Sequence, residues 1–204
     1  VGIAWGRTLR AMLGYLSPNP AVSGLEIYTL LGGASSEADF QPNLMAQTFI
    51  SLYSGTSYII NAPYICHSEL LCSEIRKEPS IVHIMEASKH LDLALVGIGE
   101  SPDALHFRHG YYHFSDALID ELLGAGAVGD ICGNFYDAHG SVCQTSISGK
   151  IVSIDLNSLK TCKKVIGVAG GPGKALAVLG ALNGGYVDVL VTDANTAEQV
   201  LSLS

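Results

Sequence analysis

The sequence predicts an α/β fold: a parallel sheet covered by helices in a three-layer arrangement. Three observations carry that prediction. Six short apolar runs rich in β-branched residues recur along the chain. Helix-like stretches lie between most of them. The composition is 48% hydrophobic and only 15% charged over 204 residues, enough for a substantial core. Strands buried on both faces read as continuous apolar runs, which is how parallel sheets appear in sequence.

The elements follow in order. Val1–Trp5 is the first strand, and Thr8 to Leu16 is a short amphipathic helix. Leu25–Leu31 is the second strand. Pro42 to Leu52 carries apolar residues at 44, 45, 49 and 52, one face of a helix. Tyr58–Ile60 and Leu93–Ile98 are the third and fourth strands. Ser115 to Leu123 opens on Ser-Asp, an N-cap signal. Val165–Ala169 and Val187–Val191 complete the strands. Between them Pro172 to Leu182 reads as a helix with proline in its first turn, where the missing N–H costs nothing. Ala194 to Leu203 is the last helix. One section differs. From Ile131 to Leu156 polar and apolar residues alternate, with turn signals at "DAHG" and "SGK", so a small antiparallel ribbon is expected inside the α/β body. No linker separates two subregions, and residues 1–204 are read as one domain.

Bulk properties exclude several classes. The net charge is −8 with eleven basic residues. Phosphate neutralisation supplies most nucleic-acid affinity, so this segment is a poor DNA surface. Five cysteines, at 66, 72, 132, 143 and 162, form no C-x-x-C. They read as reduced thiols in a cytoplasmic protein. No apolar run approaches the roughly 18 residues of a membrane span, and no signal peptide is seen. The chain opens inside the apolar run "VGIAW" without methionine, the expected start of a fragment.

In open α/β sheets ligands bind beyond the carboxyl ends of the strands. Four predicted strand ends carry glycine turns: Gly6-Arg7-Thr8, Gly32-Gly33-Ala34-Ser35, Gly97-Ile98-Gly99-Glu100 and Gly170-Gly171-Pro172-Gly173-Lys174. The last turn is not a nucleotide P-loop. That motif needs glycine six residues before the lysine and a hydroxyl after it, and Val168 and Ala175 stand there. Lys174 opens a helix, where a cation opposes the dipole, so it is expected to serve a ligand. Thr8 is expected to cap the first helix, with Arg7 beside it as an anion partner. Asp137 suits the Asp-Ala-His-Gly turn. Asp130 has no such local duty and is a candidate for sugar hydroxyls, which carboxylates accept well. His106, His109 and His113 are spaced at i, i+3 and i+7, but Pro102, Gly110 and nearby aromatics indicate a loop. A lid over the strand ends is expected there, with no metal and no cofactor.

The same residues carry a family resemblance. "GIAWGRT" at 2–8, "GG" at 32–33, "QPN" at 41–43, "GAVGDICGNFYDAHG" at 126–140, "GVAGGPGKA" at 167–175 and "VLVTDANTA" at 189–197 resemble the sugar-binding domain of SorC-type transcriptional regulators. Order and spacing agree over essentially the whole chain. The resemblance implies a Rossmann-like, isomerase/CoA-transferase-like sandwich with a small inserted antiparallel β region. It implies an effector domain for a sugar or sugar phosphate, acting allosterically. Operator DNA would be held only through an N-terminal helix-turn-helix domain outside this chain, and a homodimer or homotetramer is implied. Carried over by position, Gly6, Arg7 and Thr8 match a phosphate- or hydroxyl-binding turn, with Gly32 and Gly33 at the neighbouring turn. Gln41 and Asn43 match polar positions near the ligand, Asp130 an acidic residue facing the sugar, and Lys174 the pocket lysine. Asn134 stands where the family often has arginine or tyrosine, and Ala34 and Ser35 where some members place a basic residue. Fewer cations favour an unphosphorylated or singly phosphorylated sugar.

Two other readings stay open at this stage. A sugar-phosphate isomerase or deaminase on the related fold would need a base beside a carbonyl, for which Asp130 or Glu100 are candidates. An interaction domain with a vestigial pocket would bind no sugar. Lys174 itself suits a phosphate, a hydroxyl or a Schiff base with an open-chain carbonyl.

Overall fold

The computed structural model describes residues 1–33, 41–104, 107 and 114–204. The six apolar runs give six strands: β1 (Gly2–Ile3), β2 (Leu25–Thr29), β3 (Gly55–Tyr58), β4 (Ala94–Gly97), β7 (Val165–Val168) and β8 (Val189–Val191). They form one parallel sheet in the order β3-β2-β1-β4-β7-β8. The register places Gly2 beside both Tyr28 and Ala94, Ala94 beside Val165, and Ile166 beside Val189. The antiparallel hairpin β5 (Gly129–Ile131) and β6 (Asn134–Tyr136) stands apart from the sheet. The expected α/β architecture with a small antiparallel insert is therefore present.

The helices flank this sheet. They are α1 (Arg7–Leu13), α2 (Pro42–Tyr53), α3 (Glu69–Ile75), α4 (Pro79–Ala87), α5 (Asp116–Gly124), α6 (Leu156–Leu159), α7 (Ala175–Asn183) and α8 (Ala194–Leu203). From β1 the chain steps outward to β2 and β3, then returns to the centre and steps the other way through β4, β7 and β8. Right-handed crossovers put the helices of these two halves on opposite faces. Helix α2 packs on β1 and β2 with α1 beside it, and α7 packs against α8. Ile3, Ile27, Leu30, Ala94 and Val96 are fully buried in the sheet's core. Ser115 caps α5 as expected, accepting a hydrogen bond from Leu118 N.

Four local expectations are corrected. The third strand begins at Gly55, ahead of the expected Tyr58–Ile60, because this edge strand pairs Leu25 with Gly55 and keeps its polar start in solvent. Thr8 does not cap α1; Gly6 holds the N-cap position and no side chain bonds there. Helix α7 begins at Ala175, not Pro172, because Gly171 and Gly173 at φ +102° and +82° are incompatible with a right-handed helix. The region from Ile131 to Leu156 is not one ribbon. Its tight turn is Cys132–Gly133, both at positive φ, and the ladder ends at Tyr136. Ser148–Lys150 is a single 3-10 turn. Beyond it Ile151 and Ser153 meet Ile65 and Leu31 through isolated antiparallel bridges.

Candidate functional site

All six strands are parallel, so their carboxyl ends share one edge. The direction of strand order reverses between β1 and β4, which leaves a crevice outside their ends. The turns flagged in the sequence line this edge. Gly6-Arg7-Thr8 follows β1, Ile98-Gly99-Glu100 follows β4, and Lys174 closes the turn after β7. Gly6 has φ +145° and ψ 160°, a conformation essentially restricted to glycine. It turns the chain that leaves β1 directly into α1, where Arg7 and Thr8 are exposed.

Lys174 is the N-cap residue of α7, and its ammonium turns back over the sheet edge. Nζ donates to Ile98 O at 2.7 Å and stands 3.8 Å from Glu100 Oε1. Burial lowers the Lys174 pKa, the charges of Glu100 and Asp130 oppose that shift, and Arg7 adds to it. Glu100 after β4, Asp130 within β5 and Arg7 after β1 thus all act electrostatically on the Lys174 ammonium after β7.

Asp130 has a local duty that its sequence context did not announce. Its Oδ2 accepts from Gly133 N at 2.9 Å and closes the β5–β6 turn. The other oxygen lies against Gly99, where a Cβ would come within 1.8 Å of Oδ1. Gly99 N in turn donates to Asp130 O at 2.8 Å. Burial raises the Asp130 pKa, countered by the Gly133 N–H and the Lys174 charge. Asn134 lies just past this turn, and its amide donates to Ile131 O and Ile154 O at 3.1 and 2.9 Å. Asn134 therefore holds backbone together. Asp137 plays its expected role, accepting from His139 N and Ser141 N.

On the other side of β1, Gly33, Gln41 and Asn43 line a cavity of about 370 Å³ with Pro42, Ile59, Ile60, Asn61 and Ala62. Gly32 serves packing: a Cβ there would meet Ala62 O at 2.5 Å. Gly33 N donates to Ala62 O and Gly33 O accepts from Tyr64 N. Asn43 Oδ1 accepts from Leu44 N, within its own helix. The candidate residues therefore fall into two neighbouring groups, Gly33–Gln41–Asn43 beyond β2 and β3, and Arg7–Asp130–Lys174 across the crevice.

Two further polar residues stand at this edge: Glu100, which the sequence offers as an enzyme's base, and Asn61, which belongs to no motif. Asn61 directly follows the apolar run Tyr58–Ile60, so the strand-end rule applied to that run finds it. The basic-residue positions Ala34 and Ser35, and His106, His109 and His113 of the expected lid, lie outside the described residues. Among the described residues no group of three or more His, Cys, Asp or Glu could hold a metal ion. The five cysteines are buried free thiols. Burial pushes the Cys66 thiol up to about 11. No helix among the described residues is long and apolar enough to cross a membrane.

Comparison with known proteins adds to this geometry. The model of a family described as "Putative sugar-binding domain" matches residues 1–202. The chain is 31% identical over 204 residues to the deoxyribonucleoside regulator of Bacillus subtilis (strain 168), covering 99% of this chain and 64% of that protein. It is 30% identical to the sorbitol operon regulator of Klebsiella pneumoniae, covering 98% and 64%. The crystal structure of the full-length sorbitol operon regulator SorC from Klebsiella pneumoniae superposes with a TM-score of 0.88 at 29% identity, over 98% of this chain and 65% of that one. The chain thus spans about two thirds or less of the length of these regulators.

Proposed function

Because the chain belongs to the sugar-binding domain family of SorC-type transcriptional regulators, we propose that it binds a sugar or sugar phosphate as the effector of such a regulator. The observation that carries this reading is the largely buried Lys174 ammonium, bonded to Ile98 O and beside Glu100 at the sheet edge where strand order reverses, with the charges of Asp130 and Arg7 acting on it. Charged donors and acceptors gathered in a partly buried crevice suit a small polyhydroxylated ligand, whose hydroxyls both give and take hydrogen bonds. The cavity holding Gly33, Gln41, Asn43 and Asn61 would take the far part of the same ligand.

In this reading the domain performs no catalysis. A ligand across the strand ends favours one arrangement of subunits, and an attached DNA-binding segment responds. Operator DNA is contacted by that segment and not by this acidic domain. The whole regulator works in the cytoplasm as a homodimer or homotetramer.

Thermal unfolding against pentoses, hexoses, polyols and their phosphates tests the proposal. A ligand at a hundred times its dissociation constant adds about 2.7 kcal/mol. A shift that disappears in Lys174→Ala is expected. No shift across the panel would overturn the effector reading, and turnover of a sugar phosphate would replace it with an enzyme.

A further inference from the structure

Lys174 meets the crevice with part of its bonding already committed. One N–H goes to Ile98 O at 2.7 Å, and Glu100 Oε1 stands 3.8 Å from Nζ. The two side chains are only 13% and 27% exposed. Asp130 acts on the same ammonium from the hairpin side, and Arg7 from the turn after β1. Among the described residues, one further cation and two carboxylates act on the Lys174 ammonium before a ligand arrives.

That balance selects the chemical group that fits beside Lys174. An ammonium only donates hydrogen bonds and a carboxylate only accepts them. A hydroxyl does both, so one hydroxyl can accept from Lys174 and donate to Glu100. A phosphate dianion, the main form at neutral pH, only accepts, and it would bring negative charge beside Glu100 and Asp130. In partly desolvated surroundings such repulsion is far stronger than in water.

We propose that the Lys174–Glu100 pair reads a hydroxyl of a sugar or polyol, and that Glu100 excludes phosphate from this position. The proposal rests on the sugar-effector reading above and makes it more specific. A phosphorylated ligand fits only with its phosphate turned away from Lys174, toward Arg7, the exposed cation of the cluster.

The test is calorimetric titration of the 204-residue chain and its Glu100→Gln variant. The probes are sorbitol, 2-deoxyribose, glucose, their monophosphates and inorganic phosphate. Glutamine keeps the shape and one acceptor but removes the charge. Phosphate-bearing probes are expected to bind Glu100→Gln at least about threefold tighter relative to the matching free sugars. Free-sugar binding should be lost in Lys174→Met. An unchanged ratio of phosphate to free-sugar affinity in Glu100→Gln overturns the assignment and leaves the effector reading standing. So does inorganic phosphate binding to the wild type that Lys174→Met abolishes. If no sugar, polyol or phosphate binds the wild type, the effector reading falls and this assignment falls with it. Urea unfolding checks that each variant folds. Should Glu100→Gln not fold, Glu100→Asp retracts the charge by one methylene and should move the ratio partway in the same direction.

Discussion

The hydroxyl of Tyr136 donates to the carbonyl of Ala177 at 3.0 Å, and Tyr136 is fully buried. This bond joins the hairpin that carries Asp130 to the helix that Lys174 opens. Several close approaches support it. A Cβ on Gly180 would lie 2.5 Å from Asp137 O and 3.0 Å from the Tyr136 ring. Asn183 Nδ2 donates to Ala138 O, and the Tyr186 hydroxyl donates to Gly140 O. The hairpin is therefore held against α7 and the turn that follows it, which brings Asp130 within electrostatic range of Lys174.

Tyr136→Phe should cost about 1 kcal/mol, the usual net value of one hydrogen bond. Gly180→Ala should cost more, about 1–3 kcal/mol, because its methyl meets backbone that cannot move aside cheaply. Urea unfolding of both variants checks this order. A Gly180→Ala variant as stable as the wild type would mean that the hairpin is not tightly held on α7.

The buried carboxyl of Asp130 should give a distinctive pH dependence. Its pKa is raised above 3.8 in the folded protein, mainly by burial. The folded state then binds the proton first as pH falls. Relative to Asp130→Asn, the wild type should gain stability as pH drops from neutral through the raised value, and stop gaining near 3.8. Unfolding midpoints of the two proteins across that range decide it. A constant difference would show that Asp130 is better solvated than this geometry implies.

Asp193 should behave in the opposite sense. It caps α8, accepting from Thr196 N and Oγ1 and from Gly171 N, and these bonds hold its pKa at about 2. Stability from a depressed carboxylate is present above the unfolded value and is lost as pH falls through the folded one. The difference between wild type and Asp193→Asn should be full above 3.8 and close between 3.8 and about 2. A difference that survives below that window would assign the effect to cap shape and not to charge.

Adjacent glycines after β2 should respond differently to alanine. At Gly32 the new Cβ would meet Ala62 and Pro63 backbone at 2.5–2.9 Å, so Gly32→Ala should lower stability by about 1–3 kcal/mol. At Gly33, among the described residues, it would meet the end of the Gln41 side chain at 3.2 Å. Gly33→Ala should fold nearly normally yet weaken sugar binding, because it narrows the cavity. Equal loss of stability in both variants would contradict this distinction.

Much of the fold was legible because its signals are local. Apolar runs such as Leu93–Ile98 and Val165–Ala169 mark β4 and β7 within a residue or two. The spacing of Ser115 and its following helix marks a real cap. Local signals failed where tertiary pairing set the outcome. Gly55 to Ser57 looks too polar for a strand and becomes one only because β2 lies beside it. Thr8 looks like a cap, but Gly6 reaches the unusual backbone angles that start α1 a residue earlier.

By itself the sequence determined the parallel α/β sheet, the shared edge of glycine turns and the candidates Arg7, Asp130 and Lys174. These follow from residue type and short-range spacing, which the chain carries wherever it is folded. Only the tertiary structure decided how they meet. Ile98 and Lys174 lie 76 residues apart and touch because β4 and β7 pair directly. Glu100 becomes Lys174's partner through that same strand pairing, and Asp130 is held nearby by its backbone bond to Gly99 and by the packing of its hairpin on α7. Charge pairing and desolvation depend on distance and burial, and both are set by packing between segments far apart in the chain.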